Sequence, residues 1–476
     1  MARIVLTVHE ETPEEALAQI RAWSETADAV ELRLDAFADS GSAVDFDSFR
    51  RAFSGTLIAT RRGGGMAPGE ARRAIAAGFD LIDLELETGK DLSPFDDLLP
   101  RSILSFHDFA GVPDLAPLLH SMLRSGAAHV KVAVTPSTFD EDRRLLATLQ
   151  GVNAWNLTLF GMGSRGLYSR ILAPFFGSEL TFVSVPGRPA APGQLSVERA
   201  AVLWGDGSQD IPEALFAVVG NPAAHSLSPA IHNARFRAAG APAAYSIIET
   251  ESFQEVAEAL MRGDELAPRG ISITAPFKEE AFAFARRHGA TISSRASACG
   301  SINTLMRTPD AKLLADNTDV EGISRNLPDG SLAASAVIGS GGTSRAAILA
   351  LRERGSAVTV FARRPDRIAE FASLRGAKVR SLEELRAFRG DVLVNTVSGD
   401  ALVEMPDPEA LRGCRVIDVS YAAGRLAKLA ELRDAGVEAI GGIEVLEAQA
   451  DAQNELFIGS LEMRPGVERD RKVHSR

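Results

Sequence analysis

Two lysines stand in settings that could give them chemistry. Lys131 lies in the strand-like run His129-Val130-Lys131-Val132-Ala133-Val134, and Lys278 closes Ser272-Ile273-Thr274-Ala275-Pro276-Phe277-Lys278. A lysine buried among valines loses hydration of its charged form, so its pKa falls. The neutral amine can then attack a ketone and form an imine. Lys278 has a possible partner in Asp319, within Asp316-Asn317-Thr318-Asp319-Val320-Glu321-Gly322. An amine and a carboxylate of this kind can pass a proton to and from a substrate. The two lysines fall in separate halves, which points to two enzymes on one chain.

Other chemistry gathers around each lysine. His107, in Ser105-Phe106-His107-Asp108-Phe109, is on the strand before Lys131, and adjacent barrel strands lie about 4.8 Å apart. Imidazole suits proton transfer at neutral pH. Arg33, Arg61 and Arg170 come from three different strand ends. Guanidinium forks bind carboxylates in pairs of hydrogen bonds, so a hydroxylated keto-acid is the expected substrate, with Glu31 as a hydroxyl acceptor. In the second half, Ser226 and Ser228 of Gly220–Asn233 could hold a carboxylate near a helix start, or Ser228 could simply cap that helix with Pro229 at its first position. Asn303, in Gly300-Ser301-Ile302-Asn303-Thr304, could bond a ring hydroxyl.

The elements that must position these groups are legible as a pattern. Strand-like apolar runs occur near residues 4–8, 29–35, 56–61, 81–86, 102–107, 129–134, 155–160 and 180–185. The stretches between them, such as Pro13–Trp23, Ala67–Ala77, Pro113–Arg124 and Phe139–Gln150, read mostly as helices. Eight such repeats predict a parallel (β/α)8 TIM barrel, with its active site at the C-terminal strand ends. Strands buried on both faces should be nearly all apolar. Glu31, Arg33, Arg61, Asp83, Glu85, His107, Lys131 and Arg170 break that rule at or just after strands. They need either one another, as salt bridges closing the barrel, or a ligand.

A short polar linker is expected at residues 205–213, followed by a second α/β unit. Within it, Ala336-Val337-Ile338-Gly339-Ser340-Gly341-Gly342-Thr343-Ser344-Arg345-Ala346 reads as strand, glycine turn and helix start, the context of a Rossmann dinucleotide site. The next strand ends in Ala362-Arg363-Arg364-Pro365-Asp366-Arg367. An NAD site usually has an acid near this point for the ribose hydroxyl. Arginines here suit a 2′-phosphate, so NADP(H) is favoured over NAD.

Length and composition bound the rest. A chain of 476 residues suggests about two to four domains. A net charge of −12 argues against a general nucleic-acid surface, which leaves small anions as partners for local basic clusters. Two cysteines, Cys299 and Cys414, suit a reducing cytoplasm. No apolar run approaches the roughly 18 residues of a membrane span. The first residues enter a strand at once, so no signal peptide is expected. No metal ligand set is expected, a homo-oligomer is compatible with the sequence, and the charged tail Met463–Arg476 is expected to fray.

The first half resembles type I 3-dehydroquinate dehydratase. The matching pieces are Glu31-Leu32-Arg33-Leu34-Asp35, Asp80–Leu86, Ser105–Phe109, Lys131-Val132-Ala133-Val134-Thr135-Pro136, Ser169-Arg170, Gly177–Phe182 and Ala191-Pro192-Gly193-Gln194, in the family's order. The resemblance implies an imine at Lys131, proton shuttling by His107, and substrate contacts by Glu31, Arg33, Arg61, Arg170 and Gln194, with Thr7 a further candidate. Two departures touch affinity or loop behaviour rather than imine chemistry. Gly63-Gly64-Gly65 lacks the family's glutamate, and Ala190 stands where the family has serine or threonine.

The second half resembles shikimate dehydrogenase through Lys278, Asp319, the glycine turn, Val394-Asn395-Thr396, Asp418-Val419-Ser420-Tyr421 and Gly442–Gln449. The resemblance implies that Lys278 and Asp319 handle the proton during hydride transfer. Substrate contacts fall to Ser226, Ser228, Thr274, Asn303, Tyr421 and Gln449. Cofactor contacts fall to Gly339, Ser340, Gly341, Gly342, Thr343, Arg363, Arg364, Arg367, Thr396, Val419 and Gly442. Ala362 and Ala423 depart from the family where asparagine and proline are usual.

The expected organisation is thus a dehydratase barrel at 1–205, a substrate lobe at 212–318 completed by helix 443–460, and an NADP lobe at 319–442. The expected activity is bifunctional: 3-dehydroquinate to 3-dehydroshikimate, then reduction to shikimate with NADPH. An NAD-dependent quinate/shikimate dehydrogenase would need an acid where Arg363 and Arg364 stand. A silent ligand sensor would have lost Lys131, His107, Lys278 and Asp319.

Overall fold

Eight parallel strands make up the sheet of the first half, in the order β7-β6-β5-β4-β3-β2-β1-β8. They are β1 (Arg3–Val8), β2 (Ala29–Arg33), β3 (Thr56–Thr60), β4 (Leu81–Glu85), β5 (Ser102–Asp108), β6 (His129–Val134), β7 (Leu157–Gly161) and β8 (Leu180–Ser184). The helices α1 (Pro13–Trp23), α2 (Phe46–Ala52), α3 (Pro68–Ala76), α4 (Leu115–Leu123), α5 (Phe139–Val152) and α6 (Leu167–Leu172) lie in the connections between them, and α7 (Val197–Trp204) follows β8. The computed structural model describes residues 2–40, 44–86, 91–152, 154–205, 211–397, 399 and 401–462. Residues 206–210 of the expected linker, and the tail 463–476, lie outside the described residues.

The barrel is nearly closed. β1 joins β8 by a parallel ladder, whereas β7 and β8 share only local bonds, such as Glu179 N to Leu157 O at 3.0 Å and Leu180 N to Thr158 Oγ1 at 3.1 Å. The repeat is also irregular at one place: between β4 and β5 the described residues hold two 3-10 turns, Ser93–Phe95 and Leu99–Arg101, and no α-helix. Short connections of this kind let about 200 residues complete the fold. Helix starts follow local chemistry. Thr12 Oγ1 accepts from Glu15 N at 3.2 Å with Pro13 leading α1, and Ser196 Oγ accepts from Arg199 N at 3.3 Å ahead of α7.

The second half continues with β9 (Ala214–Gly220), α8 (Ser228–Ala238), β10 (Ala243–Glu249), α9 (Phe253–Arg262), β11 (Gly270–Ile273), α10 (Lys278–Arg287), β12 (Thr291–Ile292), α11 (Ser294–Cys299), β13 (Thr304–Arg307), β14 (Leu313–Asp316) and α12 (Asp319–Ser324). Then come β15 (Ala334–Ile338), α13 (Gly342–Glu353), β16 (Ala357–Ala362), α14 (Asp366–Leu374), β17 (Lys378–Ser381), β18 (Val392–Asn395), β19 (Arg415–Asp418), α15 (Ala423–Asp434), β20 (Glu438–Ile440) and α16 (Gly442–Glu462). By internal contacts the chain forms two units. One holds residues 1–217, 222–256 and 264–267; the other holds 218–221, 257–263 and 268–476.

In the first unit, α8 and β10 are tied to the barrel's own helices. Ser246 Oγ donates to Tyr168 O at 3.2 Å, Tyr168 Oη to Leu266 O at 2.7 Å, and Arg237 Nη1 to Leu203 O at 2.9 Å. In the second unit, β17-β16-β15-β18-β19-β20 form an all-parallel sheet, the strand order of a dinucleotide-binding Rossmann fold. Apolar layers cover both faces, one centred on Val337, Ile348 and Ile323, the other on Ile338, Leu393 and Leu429.

Helix α16 crosses α12 at Gly322, where an added Cβ would stand 2.9 Å from Val445 O. Gln453 on α16 accepts from Ser272 Oγ at 2.9 Å and donates to Thr304 Oγ1 at 2.9 Å, which fastens the helix to β11 and β13.

Under the end of β19, Arg425 is 2% exposed and donates twice to Asp418 Oδ2, at 2.9 and 2.6 Å. Removing one member of a buried pair strands the other charge, a loss of about 3–5 kcal/mol. Arg425→Met should therefore lower the unfolding free energy of the second half by that order, read as a lower urea midpoint, and adding Asp418→Leu should recover much of it. A wild-type midpoint in the single variant would show that the pair does not hold this end of the sheet.

Candidate active sites

A cavity of about 390 Å³ opens at the C-terminal ends of the barrel strands. Strand register puts Glu31 beside Ile58, Thr60 beside Asp83, Glu85 beside Ser105, and Ser105 beside Lys131. Alternation then sends this row of polar side chains inward. Of the expected residues, Thr7, Glu31, Arg33, His107, Lys131, Arg170 and Gln194 line the cavity. Arg62, Gly63, Glu85, Phe109, Phe160, Phe182, Ala190 and Ala191 complete much of the wall.

Lys131 is 4% exposed. Its Nζ lies 3.7 Å from Glu31 Oε1, 3.7 Å from Asp83 Oδ2 and 3.6 Å from the centre of the Phe182 ring. Burial lowers the Lys131 pKa; the two carboxylates oppose that shift without cancelling it, and Arg62 and Arg33 add to it. The carboxylates are themselves restrained. Glu31 accepts from Thr7 Oγ1 at 2.8 Å and from Thr60 Oγ1 at 3.0 Å. Asp83 accepts from Ser105 Oγ at 2.5 Å and Arg62 Nη2 at 3.2 Å. Burial would raise the Asp83 pKa, but Arg62, Lys131 and Ser105 outweigh it and hold the group at about 2.

His107 Nδ1 lies 2.9 Å from both oxygens of Glu85. The contact places the ring hydrogen on Nδ1 and leaves Nε2 able to take a proton. Burial, followed by the nearby Lys131 and Arg62 cations, pushes the imidazole down to about 2, so it stands neutral.

Arg170 is placed by a close approach of β7 to α6. An added Cβ on Gly161 would lie 2.6 Å from Gly166 Cα, and Arg170 Nε donates to Gly161 O at 3.1 Å. The guanidinium covers the Phe160 ring at 4.4 Å. Burial lowers its pKa to about 10, so it stays cationic, and it forms no ion pair with an acid among the described residues. Arg33, by contrast, is held by both oxygens of Asp35, at 3.0 and 2.8 Å. Gln194 accepts from Ala190 N at 2.8 Å and donates to Thr7 Oγ1 at 3.1 Å.

Arg61 is not among the lining residues. It turns outward to Glu70, donating at 2.9 and 2.6 Å. Its neighbour Arg62 takes the inward position, pairing with Asp83 and Glu85. Thr60 points inward to Glu31, and the period of two continues that face to residue 62 rather than to residue 61. Glu85 and Asp83, read from sequence only as marks of a barrel, emerge as the groups that restrain His107 and Lys131.

The second constellation lies within the second unit. Lys278, the first residue of α10, donates through Nζ to Asp319 Oδ2 and, at 2.9 Å, to Thr343 Oγ1. Asp319 heads α12, and its Oδ1 accepts from Asn303 Nδ2 at 2.7 Å. Asn303 Oδ1 is in turn fixed by Thr318 N at 2.8 Å and Thr304 Oγ1 at 2.9 Å. Thr274 follows β11, and its N–H donates to Val219 O at 2.9 Å. Gln449 lies on α16 against Gly322. Tyr421 is half-buried in the turn between β19 and α15.

In the first unit, Ser226 Oγ accepts from Ser228 N at 3.2 Å. The helix begins at Ser228 with Leu227 in the cap position and no side-chain capping bond, so the capping role considered for Ser228 is absent.

The glycine turn sits where the Rossmann strand order reverses, between β15 and β18. Gly339 has φ +125°, and an added Cβ would meet Thr396 Oγ1 at 2.5 Å and Ser344 Oγ at 2.8 Å. Thr396 Oγ1 donates to Ile338 O at 2.7 Å and lies 2.7 Å from Ser344 Oγ, so the two loops close on each other. Gly341 caps α13, its N–H donating to Ser344 Oγ at 3.2 Å, and Gly342 and Thr343 are the first residues of the helix, the end of a helix that suits an anion. Ser340 is in the turn itself. Gly442 lies against the backbone of Val419 and Ser420. Arg363, Arg364 and Arg367, beyond β16, are exposed and form no ion pair with an acid among the described residues. These features fit a dinucleotide carrying a 2′-phosphate.

Comparison with known proteins finds two families along the chain. The family model described as type I 3-dehydroquinase matches residues 4–203, and that of the shikimate dehydrogenase substrate binding domain matches residues 218–305. A bifunctional 3-dehydroquinate dehydratase/shikimate dehydrogenase, chloroplastic, from Arabidopsis thaliana is 28% identical over 91% of this chain and 78% of its own length. The Mycobacterium tuberculosis shikimate dehydrogenase is 32% identical over 52% of this chain and 94% of that one, with a TM-score of 0.42. A Thermus thermophilus shikimate 5-dehydrogenase, solved with NADP(H) and shikimate, is 28% identical over 52% of this chain and 94% of its own, with a TM-score of 0.43. By these family models residues 4–203 are a type I 3-dehydroquinase domain and residues 218–305 a shikimate dehydrogenase substrate binding domain.

Proposed function

We infer that this chain is a bifunctional enzyme of the shikimate pathway, which dehydrates 3-dehydroquinate to 3-dehydroshikimate and then reduces that product to shikimate. The observation that carries the first step is a buried lysine, lowered in pKa, in a cavity that also presents a neutral imidazole and a guanidinium without an acidic partner among the described residues. The Lys131 amine adds to the ketone and expels water to form an imine. His107 takes the proton beside the imine carbon. The resulting enamine expels the β-hydroxyl, which leaves as water with the proton from His107. Hydrolysis of the imine then frees the product and restores Lys131. Arg170 binds the carboxylate, while Glu31, Gln194, Thr7 and Arg33 hold the hydroxyl face, with Arg62 in the place expected for Arg61.

For the second step we assign proton transfer at the substrate carbonyl oxygen to Lys278 and Asp319. Ser226, Ser228, Thr274, Asn303, Tyr421 and Gln449 are the proposed substrate contacts. NADPH, when bound, supplies the hydride. The glycine turn would hold its diphosphate, Arg363, Arg364 and Arg367 its 2′-phosphate, and Thr396, Val419 and Gly442 the nicotinamide end. The domain limits we propose are 1–205, 212–318 with 443–460, and 319–442. Two free, buried thiols support a reducing cytoplasm, and among the described residues no helix is long and apolar enough to cross a membrane.

Borohydride added with 3-dehydroquinate should trap a stable adduct on Lys131, read by peptide mass. A Lys131→Ala protein that dehydrates at the wild-type rate would exclude the imine route. Arg62→Ala should reduce dehydratase kcat/KM on the order of ten- to a hundredfold, as loss of a charged hydrogen-bonding group does. Arg61→Ala, which breaks a peripheral pair, should stay within about fivefold, and the reverse ranking would reassign the substrate contact to Arg61. Replacing Arg363 and Arg364 together by alanine should raise KM for NADPH at least about tenfold more than KM for NADH. Equal increases for the two cofactors would show that these arginines do not read the 2′-phosphate.

A further inference from the structure

The Thr343 side chain joins two parts of the second site that the fold builds separately. Thr343 is the second residue of α13, directly after the glycine turn, while Lys278 starts α10 and Asp319 starts α12. Its Oγ1 accepts from Lys278 Nζ at 2.9 Å and donates to Asp319 Oδ2 at 3.2 Å. Lys278 reaches that same oxygen directly, so the hydroxyl closes a three-membered ring of hydrogen bonds. The backbone of the turn is equally near: an added Cβ on Gly342 would lie 3.1 Å from Lys278 Cβ. With the hydroxyl spent on the pair, what Thr343 can offer a dinucleotide phosphate is its N–H at the helix start.

We propose that Thr343 is a positioning residue for the reduction, whose hydroxyl aligns the Lys278 ammonium and the Asp319 carboxylate with the dinucleotide seated on the turn. The proposal rests on the reading of Lys278 and Asp319 as the proton-handling pair. An ammonium has three donors and can rotate among acceptors. Asn303 fixes one oxygen of Asp319, and Thr343 fixes the other together with the lysine. The side chain that does so rides on the helix that receives the cofactor. Seating the cofactor and aiming the proton donor thereby become one event.

The test uses the full chain, with 3-dehydroshikimate and NADPH as substrates. Thr343→Val keeps the shape and removes the hydroxyl, Thr343→Ala removes both, and Thr343→Ser restores the hydroxyl. The expected result is a fall in kcat on the order of tenfold for the valine and alanine variants. KM for NADPH should change by less than about twofold, and the serine variant should return to near wild-type kcat. A wild-type kcat in the valine and alanine variants overturns the proposal. So does a loss confined to KM for NADPH, which would make Thr343 a phosphate contact only. Lys278→Met and Asp319→Asn run beside them as a separate check. If both reduce substrate normally, the reading of the pair falls, and the proposal with it, irrespective of the Thr343 results.

Discussion

An ammonium group inside a barrel is costly to keep charged, and the first site is organised around that constraint. Desolvation drives Lys131 toward the neutral amine, while Glu31 and Asp83, each 3.7 Å away, keep it from being an isolated buried base. Direct contact with either acid would favour the ammonium and work against nucleophilic attack. The hydroxyls of Thr7, Thr60 and Ser105 occupy the nearer positions on these carboxylates. Arg62 then balances Asp83 and Glu85. Each charge in the row is restrained by a neighbour that is itself restrained, and Arg170, without an acidic partner among the described residues, is the proposed contact for the substrate carboxylate.

The second site handles its lysine differently. Lys278 is paired directly with Asp319 and with Thr343. A group that exchanges a proton at a carbonyl oxygen can work from a hydrogen-bonded, charged state, whereas an imine-forming amine must have a free lone pair. In the proposed reactions the same residue type would serve two chemistries: Lys131 lies over the Phe182 ring and 3.7 Å from Glu31 and Asp83, bonded to neither, whereas Lys278 is bonded to Asp319 and Thr343 at the starts of two other helices.

The scaffolds serve these sites through close backbone approaches. Gly161 against Gly166 seats the start of α6 and so Arg170; Gly322 lets α16 reach β11 and β13; Gly339 lets the turn close against Thr396. In each case a side chain would have to occupy space already held by backbone or by a hydroxyl. The Arg425–Asp418 pair does comparable work under β19, at the end of the Rossmann sheet.

The sequence by itself determined the barrel's strands and most of its helices, because alternation and apolar runs are local signals. It singled out both lysines, His107, Asp319 and the glycine turn as candidates, because each sits in a motif whose spacing has a mechanical reason. The sparse bonding between β7 and β8, and the absence of an α-helix among the described residues between β4 and β5, are not local signals. They depend on how eight strands share one circumference.

Tertiary structure also decided which of two adjacent arginines faces the cavity. Arg61 and Arg62 are the same residue type one position apart, and only the register of β3 against β2 and β4 turns one to Glu70 and the other to Asp83. The role of Thr343 was hidden for a related reason. From sequence it belongs to a phosphate-binding turn, and only the packing of α10, α12 and α13 brings its hydroxyl between Lys278 and Asp319. Residue types and periods are properties of a segment; a hydrogen bond between segments 24 and 65 residues apart exists only once the chain has folded.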